Sequence, residues 1–265
     1  MNLLCTVRDC RAPLAIDARR AVCERGHSFD IARSGYLNLL QPQDRRSRVP
    51  GDSPEAAAAR RRFLDRGFVQ PIRDAIVAFM QPVRGPVLDA GCGEGYHLGS
   101  IDADERHGVD ISVAAIDEAA KRYPSCHWIV ANADRFLPYA DASFAIVMSI
   151  TARLNPPEFR RVLRDDGRLV IAIPGADDLV ELRGMTRDRV SRTVEMFAEH
   201  FTLARHEHVR HVVELDESAV EDLLKTTYRR VKVRAGTVTM SRDLLLFEGT
   251  GGAPPAAQVP RLRSG

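Results

Sequence analysis

The ten residues Val87-Leu88-Asp89-Ala90-Gly91-Cys92-Gly93-Glu94-Gly95-Tyr96 restrict this chain more than any other stretch. A short apolar run leads straight into a turn with glycine at every second position, and a helix start follows. Glycines in such a turn permit positive φ and let a ligand lie against the backbone. Strand, glycine-dense turn and helix form the opening unit of an α/β domain that binds its ligand at the carboxyl ends of parallel strands. The following sequence keeps the same rhythm. Strand-type runs over 86–90, 107–110, 127–131, 144–150 and 168–173 alternate with helix-type segments, clearest over 112–122, 156–164, 187–199 and 216–225. Two longer runs, 201–211 and 240–248, have the alternation of an antiparallel edge pair. The expected fold is a seven-stranded, Rossmann-like α/β sheet covered on both faces. Upstream, a helix is expected after Ser53, with Pro54 at its first position and Arg60, Arg61 and Arg62 around it. A second helix over 70–79 sets Ile72, Ile76 and Phe79 on one face.

A glycine-rich loop also serves dinucleotides, so the flanking residues must choose the ligand. Here the glycines fall as GxGxG rather than GxGxxG, and Asp89 sits immediately before them, where a carboxylate can orient the ammonium group of a methionine moiety. Asp110 closes the next strand about twenty residues on, the position from which a carboxylate reaches ribose hydroxyls. Ala131-Asn132-Ala133-Asp134 ends the third strand. Asp134 can accept from an adenine amino group while the Ala133 backbone meets a ring nitrogen; alone, Asp134 also reads as a solvated loop carboxylate. Together, Asp89, Gly91, Gly93, Glu94, Gly95, Asp110, Ala133 and Asp134 favour S-adenosylmethionine and a class I methyltransferase over a dehydrogenase or a non-catalytic fold.

Near the amino terminus, Cys5-x4-Cys10 and Cys23-x3-His27 form two pairs twelve residues apart. Three thiolates and an imidazole can close a tetrahedral shell around Zn²⁺, with no position left for substrate. The alternative is three ordinary core cysteines. A module this small buries little apolar surface, so metal binding would supply its folding energy. The expected organisation is a zinc module over 1–40, a basic, proline-broken linker over 41–54, a methyltransferase domain over 55–248 and a disordered Gly/Pro/Ala-rich tail over 249–265.

Bulk properties narrow the function classes. No apolar run is long enough to span a bilayer, no signal-peptide pattern is present, and five cysteines suit a reducing compartment, so a cytoplasmic protein without membrane partners is expected. The net charge is only +2, but the first 62 residues hold twelve Arg against seven Asp and Glu. That excess suits a polyanionic partner, although 35 Arg against 3 Lys in the whole chain also reads as compositional bias.

The chain resembles the bacterial 23S ribosomal RNA guanine-N1 methyltransferases, a family that includes macrolide-resistance members. The likeness runs over about residues 3–250. It includes the zinc pairs, Gly26-His27-Ser28-Phe29-Asp30, Gly35-Tyr36-Leu37-Asn38-Leu39-Leu40, Arg46-Ser47-Arg48-Val49-Pro50-Gly51-Asp52-Ser53, Ala59-Arg60-Arg61-Arg62-Phe63-Leu64-Asp65, Gln70-Pro71 and the glycine loop. The resemblance implies that the module and linker grip a hairpin of 23S rRNA, that the methyl group goes to guanine N1, and that the protein forms a homodimer. Departures mark specific positions. Relatives usually have Cys-x2-Cys in the first pair. They carry at the cofactor a Tyr where Val69 stands, a His near the cofactor where Asp178 stands, and Ala-Pro where Ala152-Arg153 stands.

Guanine N1 bears a proton at neutral pH, so its methylation needs a base or a cation that stabilises the enolate oxygen. Asp178 and Arg153 follow strand ends on the ligand side of the sheet and are the candidate catalytic pair; Asp178 also reads as a carboxylate opening a helix. Asn155-Pro156-Pro157 is read as the first turn of a helix rather than as a catalytic motif. A small-molecule methyltransferase that keeps the zinc module, and a catalytically silent RNA-binding relative, are the alternative functions.

Overall fold

The computed structural model describes residues 3–44, 51, 53–227 and 234–250. Parts of the expected linker (45–50 and 52) and the tail from 251 onward lie outside the described residues. Three short strands open the chain: β1 (Leu14–Ile16), β2 (Arg20–Cys23) and β3 (Ser28–Asp30), paired antiparallel in the order β1-β2-β3. Strand β4 (Leu37–Asn38) leads to helices α1 (Pro54–Asp65) and α2 (Gln70–Met80). Ser53 caps α1, its hydroxyl accepting from the Ala56 N–H at 3.1 Å. The central part alternates β5 (Val87–Ala90), β6 (Arg106–Asp110), α3 (Val113–Arg122), β7 (His127–Val130), β8 (Phe144–Ile150), α4 (Pro156–Val162) and β9 (Leu163–Pro174). The last part contains α5 (Val180–Arg183), α6 (Val190–Phe197), β10 (Phe201–Leu215), α7 (Glu217–Thr227) and β11 (Gly236–Gly249).

All seven expected strands are present in one sheet, and an eighth joins them: the order is β10-β11-β9-β8-β5-β6-β7-β4. The extra strand comes from the amino-terminal region, where Leu37 and Asn38 pair in parallel with Ile129 and Val130. Two residues are too few to show strand periodicity in sequence. Their pairing is closed by the Leu39 N–H, which donates to Val130 O at 2.9 Å. The amino-terminal module is therefore built onto the methyltransferase sheet rather than hung from it. Strands β4 to β9 run parallel, and β11 is antiparallel to both β9 and β10. The strand order reverses between β5 and β8, which opens a crevice at their carboxyl ends.

Each sheet face has its own apolar core. Phe63, Ile72, Phe79 and Ile116 from α1, α2 and α3 cover one face together with Leu223 of α7. Phe159, Phe197 and the module residues Leu3 and Phe29 cover the other. The arginines of α1 face acids of neighbouring elements: Arg60 pairs with Glu94 at 3.6 Å, Arg61 with Glu118, and Arg62 with Asp222 at 3.0 Å. Arg66, just beyond the helix, meets Asp216 at 3.0 Å. Exposed pairs contribute little stability, but they set the roll of α1 over the crevice. The positive charge that α1 itself carries is thus committed within the protein.

Candidate active site and metal centre

The carboxyl ends of the parallel strands enclose a cavity of about 740 Å³, within the usual size range for a small-molecule site. Asp89 is buried in β5, and its Oδ1 has no hydrogen-bond partner among the described residues. Burial, reinforced by the Asp110 and Glu94 carboxylates, pushes its carboxyl well above the ordinary range. A cationic group placed against it would reverse that shift, so the position fits the ammonium end of S-adenosylmethionine. At the next strand end, Asp110 is fixed by two backbone donors: Gly93 N–H to Oδ2 at 3.0 Å and Ser112 N–H to Oδ1 at 2.8 Å. The loop after β7 is clamped as well. The Asn155 side chain donates to the carbonyls of Ala133 at 2.9 Å and Asp134 at 3.1 Å, while Pro156 occupies the first turn of α4.

Of the residues expected at the cofactor, Val69, Asp89, Gly91, Gly93, Glu94, Asp110, Ala133 and Asp134 line the cavity. Gly95 lies back from this wall: a Cβ there would come within 2.4 Å of the Trp128 ring, so this glycine makes room for core packing. Gly91 differs again. Its φ is +86°, and a Cβ would lie 2.3 Å from the Ala152 Cβ, pressing on the turn that forms the opposite wall. Gly91→Ala is expected to lose about 1–3 kcal/mol to backbone strain and to displace that wall, weakening cofactor binding. Gly93→Ala, at φ +54°, carries backbone strain as well but would meet only the flexible end of Arg60, at 3.5 Å, so the wall contact separates the two. Denaturant melts and cofactor titration should therefore rank Gly91→Ala as the more damaging; equal effects would refute this assignment of the contact.

Asp178 and Arg153 both reach the cavity, but they do not meet as a base and a cation. Arg153 is exposed and lies 3.4 Å from Asp134, towards the β7 end. Asp178 is 3% exposed and does not open a regular helix, because Leu179 takes a left-handed conformation before α5. Its Oδ1 accepts from Ser241 N–H at 3.0 Å and Arg242 Nη1 at 2.6 Å, and its Oδ2 accepts from Arg183 Nη2 at 2.9 Å. Both oxygens are committed, so this carboxylate holds two guanidinium groups at the cavity rim. Several wall residues carry no local sequence signal: Phe63 and Leu64 from α1, Met240 and Arg242 from β11, and His97. Burial, followed by the Arg242 and Arg73 charges, pushes the His97 imidazole down to about 3 and keeps it neutral. Only the depressed ionisation of a buried histidine could have identified it.

The four expected metal ligands converge. Cys5 Sγ and Cys23 Sγ each lie 3.4 Å from His27 Nδ1, Cys10 Sγ lies 3.9 Å from Cys23 Sγ, and all four ligand atoms fall within 4.8 Å of one another. Zn–S and Zn–N bonds of about 2.3 and 2.0 Å in a tetrahedron require S···S near ~3.8 Å and S···N near ~3.5 Å, so the cluster fits zinc. Without a cation, burial first and then the neighbouring thiols push Cys5 up to about 12; a dication would favour the thiolates. The longer first pair is accommodated by left-handed backbone at Asp9 (φ 62°) and Arg11 (φ 48°). Below the cluster, the module is tied to the cavity wall. Arg135 donates to Thr6 O at 2.6 Å and pairs with Asp44 at 3.1 Å, while Asn132 Nδ2 donates to Asp44 O at 3.2 Å.

Comparison with known proteins agrees with both parts. A family model described as "Methyltransferase domain" matches residues 87–170, and one described as "RlmA, N-terminal", a zinc ribbon, matches residues 4–48. A 23S rRNA (guanine(748)-N(1))-methyltransferase from Streptomyces fradiae is 34% identical over 80% of this chain and 80% of its own length. Proteins of Bacillus subtilis and Micromonospora griseorubida, provisionally named 23S rRNA (guanine-N(1)-)-methyltransferases, are 35% and 36% identical; the match covers 80% and 84% of this chain and 81% and 84% of theirs. Among solved structures, a chain from the Haloferax volcanii complex of the Trm112 methyltransferase activator with a provisional methyltransferase superposes with a TM-score of 0.52. It is 19% identical, with 74% of this chain and 97% of that one covered, and supports the fold alone.

Proposed function

This chain belongs to the family of 23S rRNA (guanine-N1) methyltransferases, and from that premise we propose that it methylates N1 of a guanine in a 23S rRNA hairpin. The observation that carries the reading is the joint between its two sites. Asp44, just after the module, lines the cofactor cavity and pairs with Arg135, which also donates to Thr6 O of the module, so the module is joined to the cavity wall. An appendage joined to the active-site mouth suits a macromolecular substrate better than a small molecule that the cavity alone could hold. No described helix is long and apolar enough to cross a membrane; the reading places the enzyme in the cytoplasm with its ribosomal substrate, and pairing of two chains belongs to the same proposal.

S-adenosylmethionine supplies an electrophilic methyl group when bound. Asp89, the glycine turn, Asp110 and the 132–134 loop would hold it, with Val69 as an apolar wall. The four ligands Cys5, Cys10, Cys23 and His27 would hold zinc in a structural role, since a closed shell leaves no coordination site for substrate. The chain's own contribution to the reaction is positioning and charge. As N1 gives up its proton to bulk water, negative charge grows on guanine O6, and Arg183 and Arg242 present positive charge at the rim where that oxygen would lie. Asp178 orients both guanidinium groups. Arg153, beside Asp134, is better placed to meet the RNA backbone. Alignment of N1 with the methyl group supplies most of the remaining acceleration.

The test is transfer of a tritiated methyl group to undermodified 23S rRNA by the full-length protein, followed by nucleoside mass spectrometry. The expected product is 1-methylguanosine. Label in another nucleoside would refute the target base, and cofactor binding without transfer to RNA would favour one of the alternative functions.

A further inference from the structure

At the opposite end of β6 from the cofactor, three side chains converge that the methyltransferase reaction does not use. Glu105 immediately precedes the strand and His107 lies two residues on, so both project from the same sheet face. His127 is the registered neighbour of His107 on the parallel strand β7, and the two imidazoles stack with centroids 4.5 Å apart. His107 Nε2 lies 3.0 Å from Glu105 Oε1, and ligand atoms of all three residues fall within 4.8 Å of one another. We propose that Glu105, His107 and His127 form a second metal site, a nitrogen–oxygen set for a divalent first-row transition ion, distinct from the sulfur-rich zinc centre.

The surroundings have the features such a site requires. His107 is buried while His127 is exposed and Glu105 half-buried, so the ion would be anchored on the protein side and open to water on the other. Buried on the protein side, His107 presents Nε2 towards Glu105 Oε1. Its second nitrogen, Nδ1, faces the hydroxyl of Tyr139 at 3.3 Å, and Tyr139 is fully buried. Ligating histidines characteristically donate this second N–H to a protein acceptor. If Nδ1 carries the proton, the Nε2 lone pair confronts a carboxylate oxygen at 3.0 Å, and a cation between them resolves the repulsion. With Tyr139 donating instead, Nε2–H would satisfy Glu105 without metal, and binding would expel that proton. Imidazole and carboxylate donors suit Zn²⁺, Ni²⁺ or Cu²⁺ and not Mg²⁺ or Ca²⁺.

The decisive experiment uses full-length protein without an affinity tag and with its cysteine centre already filled by one equivalent of zinc. Calorimetric titration with Ni²⁺, checked by elemental analysis after gel filtration, should reveal one further equivalent. His127→Ala and Glu105→Gln, both at the surface, should abolish that equivalent, and Tyr139→Phe should weaken it about tenfold by removing the outer hydrogen bond. Absence of a further equivalent, or nickel binding unchanged in His127→Ala, would overturn the proposal; the latter would place the ion elsewhere, for instance at His206 and His208.

Discussion

Cys23→Ser will lose zinc and unfold the amino-terminal module while the methyltransferase sheet stays folded. The ordered elements of the module are three strands of three, four and three residues. Its buried apolar groups are few, and several are themselves ligands: Cys5, Cys10 and Cys23 stand beside Leu3, Ala12, Leu14, Ala21 and Phe29. Such a core cannot offset the conformational entropy of about thirty ordered residues at roughly 1–2 kcal/mol each. Structural zinc in comparable modules contributes about 10–16 kcal/mol, so loss of one thiolate removes the dominant stabilising term. Hydrogen exchange should then become fast over Leu14–Ile16, Arg20–Cys23 and Ser28–Asp30. Protection should survive at Leu39, whose N–H is bonded to Val130 of the main sheet. Cofactor affinity should change little, because the cavity wall from this region is Asp44, beyond the strand that anchors it. Methyl transfer to RNA should disappear. Retained exchange protection across β1 to β3 in zinc-free protein would refute this account of the module.

The contrast between local and distant signals explains how much of the molecule could be read from the sequence. Asp89, Gly91, Gly93 and Asp110 lie within one strand-turn-helix-strand unit, so their spacing determines their geometry, and all four line the cavity. The zinc pairs are legible for the same reason: each pair spans a single turn. Elsewhere the cause is tertiary. Strand β4 has only two residues, and its pairing with β7 has no periodic signature. Gly95 has the spacing of a cofactor glycine, yet the Trp128 ring, from a different strand, occupies the space against it. The arginines of α1 resemble an RNA-binding face until their partners Glu94, Glu118 and Asp222 are brought in from other elements. Glu105 and His107 stand two residues apart, but His127 joins them only through the register of β6 with β7.

Asp178 is the clearest case of a role decided by distant residues, and its substitution should separate anchoring from proton abstraction. Arg242 is 64 residues away in sequence and Arg183 is five, and both guanidinium groups are less than one-quarter exposed. Removing the carboxylate from such a pair strands buried positive charge, at a cost of about 3–5 kcal/mol. In a protein of this size each kcal/mol lowers the melting temperature by about 2–4 °C, so Asp178→Ala should melt roughly ten degrees early. Asp178→Asn retains one acceptor oxygen and should fall between the two. Activity measured well below all three melting temperatures should follow the same order, because the asparagine still orients part of the guanidinium pair. A carboxylate acting as base predicts a different pattern of activity: asparagine as inactive as alanine, whatever the order of the melting temperatures. The committed hydrogen bonds favour the graded result, since a lone pair already engaged by Arg183, Arg242 or the Ser241 amide is poorly available to a proton. A base assignment would regain its footing if the asparagine variant, assayed while folded, were as inert as the alanine variant.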